Sequence, residues 1–116
     1  MVVANNINFN LDLGFLESLS KVKENTLSFF ELLKVIKKLY FFESFAKDIK
    51  VTKENLEQTE ESLIIIDDLI DELKEVQEKS SFLEKKLLEK AITLLLNINF
   101  IISNKVADVY YENSKE

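Results

Sequence analysis

The chain has 116 residues, of which 47% are apolar and 31% charged, with a net charge of −6; it is long enough for one compact domain and too apolar for wholesale disorder. One Gly and no Pro argue against an all-β or α/β fold, which uses both in turns and ligand loops, and for long uninterrupted helices. Cys, His and Arg are absent and all fifteen basic residues are Lys, which removes disulfides, thiolate sites, imidazole bases and bidentate phosphate forks together.

Residues 1–14 read as an N-terminal arm. Ile7, Phe9, Leu11, Leu13 and Phe15 fall at every second position, a strand period with no second strand to follow it. An extended arm laid over a helical body, or a strand pairing with its own copy in a dimer, satisfies that pattern; a helix starting at Asp12 as N-cap is the competing reading. The opening MVVANNINFN lacks the basic-then-apolar plan of a signal peptide, so a cytoplasmic protein is expected.

From Phe15 the spacing changes to 4-3. Phe15, Leu19, Val22, Thr26, Phe29, Leu33, Ile36 and Tyr40 keep one heptad phase, which predicts a single helix to about residue 50. Ser28-x-x-Glu31 is a capping box that would break it near 24–28 into two. A turn follows at Lys50-Val51-Thr52, with Thr52 as the N-cap of a second helix whose seam is Leu56, Leu63, Ile66, Ile70 and Leu73, widened by Leu69 and Val76. The same phase then meets Gln77, Ser80 and Glu84, and Ser81-x-x-Glu84 supplies another capping box, so the second turn falls at 79–81.

The third helix is predicted from Phe82 to about Tyr111, with residues 113–116 frayed. Its stretch AITLLLNINFII (91–102) is nearly all apolar, yet Lys86, Lys90, Thr93, Asn97 and Asn104 recur at 4, 3, 4 and 7 and form one narrow polar stripe. A strand would not carry that stripe, and the run is shorter than the roughly 20 apolar residues of a membrane span. The expectation is a helix covered on most sides by protein. Asn99 departs from the stripe and points into the apolar face. It is expected either to pair across helices, fixing register or oligomer state, or to reach a backbone carbonyl or water after a local rotation. Leu96 and Phe100 widen the apolar surface beyond the main seam.

Three other features bear on binding. YFFESF (40–45) crowds four aromatic rings into six residues; with Leu39, Phe42, Ala46 and Ile49 turned inward, Phe41 and Phe45 form an i, i+4 pair near the edge that suits an interface. Glu57, Glu61, Asp68, Asp71, Glu75 and Glu78 share one stripe with Ile64 in its midst. Its plainest meaning is a solvated face; its sharper one is a negative surface for a basic groove, with Ile64, Asp68 and Asp71 as contacts. Metal binding is the weakest reading, since carboxylates must converge on one point. Lys34, Lys37 and Lys38, and Lys85, Lys86 and Lys90, read as solvated lysines near Glu rather than nucleic-acid contacts.

The expected architecture is an all-α antiparallel bundle of three long helices over 15–112, four if the first breaks, with the extended arm in front. No cofactor, metal, nucleic-acid partner or membrane span is expected, and no catalytic constellation stands out. The expected function is a non-enzymatic protein–protein interaction module, self-associating as a homodimer through apolar and aromatic helix faces. The interface candidates are Phe41, Phe45, Ile64, Asp68, Asp71, Leu96, Asn99 and Phe100. Two alternatives stand beside it: an acidic inhibitor or accessory protein for a basic partner, and a bundle binding a lipophilic ligand.

Overall fold

A computed structural model describes residues 29–114; the arm, the expected first half of the first helix with its alternative break at 24–28, and the last two residues lie outside the described residues. Three helices occur there, α1 Phe29–Asp48, α2 Leu56–Glu78 and α3 Phe82–Ser114, with no strand among the described residues. Cross-helix contacts give their sense. Glu60 and Asp67 of α2 meet Tyr110 and Asn99 of α3, so these two run antiparallel. Glu43 and Ala46 of α1 meet Asn97 and Lys105, so α1 and α3 run parallel, and the order is up-down-up. Helix α3 packs against both of its neighbours, while α1 and α2 make no close backbone approach to each other among the described residues. A 33-residue helix spans about 50 Å, and α3 accordingly sets the 52 Å long axis.

In α1 the inward set Leu39, Phe42, Ala46 and Ile49 is as expected, but the heptad phase expected through Leu33 and Tyr40 is not the core phase. Leu32, Val35, Leu39, Ala46 and Ile49 are buried with Phe42 partly so, an unbroken 3-4-3-4-3 seam, whereas Leu33 and Tyr40 are exposed. The rival phase through Leu33, Ile36 and Tyr40 runs on into Glu43 and Lys47, so only the observed one stays apolar to the end of the helix. Ile36 is the one residue of the rival phase from Leu33 to Lys47 that is buried, beside the observed seam.

The α1–α2 connection also departs from expectation. Asn55, not Thr52, stands at the N-cap of α2, and its side chain turns backward. Its Oδ1 accepts from the Thr52 amide at 2.8 Å and its Nδ2 donates to the Lys50 carbonyl at 2.9 Å, closing the loop. The expected seam of α2 is present, joined by buried Thr59 and Ser62. Their hydroxyls donate to the carbonyls of Asn55 and Gln58 at 2.8 and 3.0 Å, so neither brings an unsatisfied group into the core.

The second turn falls where the lapse in the seam places it. The amide of Lys79 and the hydroxyl of Ser80 both donate to Val76 O as α2 ends. Ser81 and Glu84 form the capping box, Ser81 Oγ donating to Glu84 Oε1 at 2.9 Å while the Glu84 amide donates back at 3.4 Å. Helix α3 then contributes nine buried residues, Leu88 to Val109, more than either neighbour, and it continues to Ser114. The polar stripe Lys86, Lys90, Thr93, Asn97 and Asn104 is exposed as predicted. Cover on most sides is not what the described residues provide: α3 is flanked on two sides, and Leu96 and Phe100 are left outward.

Candidate interaction surface

The eight sequence candidates separate into three sites. On α1, Phe41 is 77% exposed, on the face opposite the core seam. Phe45 does not join it. Its ring lies 6.0 Å from that of Phe42, tilted 31°, and packs half-buried against the core, which corrects the expected Phe41–Phe45 edge pair. The inward set is the expected one, yet with the core centred on Leu39 and Ala46 the 40° between positions 41 and 45 is enough to leave Phe45 on the inner shoulder and Phe41 outside.

On α2, Ile64 is 61% exposed, and Asp68, Asp71, Glu57, Glu61, Glu75 and Glu78 are exposed around it on the face opposite the seam. Among the described residues no group of His, Cys, Asp or Glu converges as a metal ion would require.

On α3, Leu96 and Phe100 are 48% and 63% exposed and lie one turn apart on an outward shoulder of the helix. Asn99 beside them is half-buried at the helix seam, not at the centre of the apolar face as predicted. Its Nδ2 donates to Asp67 Oδ1 on α2 at 3.1 Å, and its Oδ1 accepts from the Ser103 hydroxyl at 3.1 Å. Asn99 does pair across helices, and its partner belongs to the same chain.

Several residues that tie the helices together escaped the sequence reading. Lys105 Nζ donates to the carbonyls of Ala46, Lys47 and Ile49 at 2.8, 2.7 and 2.7 Å, closing the C-terminal end of α1 from across the bundle. Burial lowers the pKa of this ammonium, and the nearby Asp48 opposes that shift. Tyr110 donates its hydroxyl to Glu60 Oε2 at 2.8 Å, which raises the phenol's pKa. Lys90 sits 5.2 Å from the centroid of the Tyr40 ring, and a hydrogen bond to Tyr40 raises its pKa. Asn97 donates to Glu43, tying α3 to α1. None of these partnerships carries a sequence signal, because their members lie 50 to 59 residues apart.

By length and composition alone α3 could cross a bilayer; 39% of its most apolar eighteen-residue stretch is buried, so less than half of that stretch is accounted for by the core. Comparison of the chain with protein-family models, with curated proteins and with solved structures finds no match.

Proposed function

We propose that the chain is a non-enzymatic protein–protein interaction module that self-associates, a homodimer being the smallest assembly, through large apolar side chains on its outward helix faces. The observation that carries the reading is the Leu96–Phe100 shoulder, two bulky residues one turn apart on the helix that contributes more buried residues than either neighbour. Burying such a pair against another protein removes apolar area from water at about 25 cal/mol per Å², and exposed aromatics of this kind anchor interfaces. Phe41 and Ile64 extend the outward apolar surface on the other two helices.

The reading takes α3 as a core helix rather than a membrane span. What supports this is the continuous buried stripe from Leu88 to Val109 packed on α1 and α2, backed by an exposed stripe with two lysines and two asparagines. A second reading draws on the carboxylates along the outer face of α2: they suit an accessory protein that docks on a basic partner.

Size-exclusion chromatography with light scattering tests the first reading. The expected mass exceeds the 13.5 kDa of one chain and rises with concentration, and Phe100→Ala lowers it. A mass of one chain at every concentration overturns the reading.

A further inference from the structure

Helix α3 packs against both α1 and α2, which make no close backbone approach to each other among the described residues. In a four-helix bundle each helix packs on two neighbours and lies diagonal to the third. The three helices thus hold three corners of such a square, α1 and α2 on its diagonal, and among the described residues no helix stands at the fourth corner. The walls of that corner are apolar. Phe42 and Phe45, with Ile49 just past the helix end, lie on the flank of α1 turned away from Tyr40 and Glu43, which meet α3. Ile65, Leu69 and Val76 lie on the flank of α2 turned away from Glu60 and Asp67, which also meet α3. Spacings of 3 and 4 on α1, and of 4 and 7 on α2, make each set a second heptad seam beside the core seam.

We propose that residues 7–26 of the same chain fold back from the start of α1 and fill this corner, antiparallel to α1, as the fourth member of the bundle. Attachment, pattern and length single this segment out over an unattached partner. Residue 28 is joined to the first residue of α1, at the head of the corner, so the segment is present there at an effective concentration of order mM. Ser28-x-x-Glu31 is a capping box at which the chain can reverse. Phe15, Leu19 and Val22 follow 4-3 spacing, the seam that two apolar helix flanks accept. Helix α1, with 20 residues, is about 30 Å long. Residues 15–26 cover ~18 Å of it as helix, and about four extended residues of the arm, at roughly 3.3 Å each, reach the rest. Ile7, Phe9, Leu11 and Leu13 of the arm then meet the Phe45–Ile49 end of the corner. The inference does not rest on self-association, because it leaves the outward Leu96–Phe100 shoulder of α3 free.

The chain has no Cys, so Ser20→Cys in the full-length protein provides a single attachment point for a nitroxide spin label. Amide signals from Val35 to Phe42 on α1 and around Val76 on α2 are expected to lose most of their intensity, and those of Leu96 and Phe100 to keep it. A mixture of isotope-labelled chain without the nitroxide and unlabelled chain carrying it is expected to show no loss at these amides, which marks the contact as lying within one chain. In full-length L19D/V22D, two carboxylates enter the seam, and amide exchange at Phe42, Phe45 and Ile65 is expected to speed up about tenfold or more. Intensity lost at Leu96 and Phe100 instead, or nowhere on α1 and α2, overturns the proposal. Intensity lost in the mixture assigns the corner to a second copy and overturns it too, as does unchanged exchange in L19D/V22D. A chain that stays single in light scattering removes the self-association and leaves this contact standing.

Discussion

Replacing Lys105 with Met should destabilise the bundle by about 2 kcal/mol. Met keeps most of the apolar stem and deletes the ammonium, so the change isolates the three bonds to Ala46, Lys47 and Ile49. A hydrogen bond from a charged donor contributes about 1.5–3 kcal/mol net. The three do not add in full: the bond to Lys47 is exposed, and water takes its place after truncation. The bonds to Ala46 and Ile49 are partly buried, at the end of a helix whose last carbonyls carry partial negative charge. About one charged bond's worth is therefore lost. Unfolding entropy for a chain of 116 residues converts 1 kcal/mol into roughly 4 °C, so Tm should fall by ~8 °C. Thermal melts followed by circular dichroism at neutral pH give the shift. Amide exchange near Ile49 should speed up more than exchange in the middle of α3. A Tm within about 1 °C of wild type, which lies below the smallest effect expected of a helix-terminal charge, would refute the claim that Lys105 fastens α1 to α3.

Adjacent residues on α3 should behave oppositely. Leu95, 1% exposed, should cost about 3 kcal/mol when changed to Ala, whereas Leu96→Ala, on dilute protein, should cost under ~1 kcal/mol; equal Tm shifts would contradict the assigned faces. Asn99→Leu should lower Tm only slightly and leave the assembled mass unchanged, because the partner it loses, Asp67, is in its own chain; a change of mass in light scattering would count against this. Tyr110 has its pKa raised above the ordinary value of 10.0, the hydrogen bond to Glu60 being the main cause. A pKa raised on folding contributes stability that is complete below the unfolded value and is lost as pH rises through the folded one. Wild type should therefore lose more Tm between pH ~9 and ~11, on either side of the phenol's ordinary pKa, than Tyr110→Phe does, and parallel melting curves would negate the linkage.

The turns were legible because they depend on neighbours in the chain. Gln77 and Ser80 interrupt the seam of α2, and Ser81 with Glu84 restarts a helix three residues later; both signals act within one or two turns. The acidic face of α2 was legible for the same reason, since periodicity alone sorts carboxylates from the Leu and Ile of the seam. Asn55 shows the limit of local reasoning. Thr52 and Asn55 are both good capping residues, and the choice depends on which side chain closes the loop back to Lys50.

The sequence by itself determined that the described part of the chain is helical, where the α2–α3 turn falls, and which side of α2 and of α3 is polar, because each of these follows from spacing along one helix. The tertiary structure decided the inward phase of the first half of α1, the separation of Phe41 from Phe45, the intrachain partner of Asn99 and the closure of α1 by Lys105. All four depend on which helix lies beside which. A segment such as FFELLKVIKKLYFF is apolar enough to offer two faces, and only contact with α3 selects one of them.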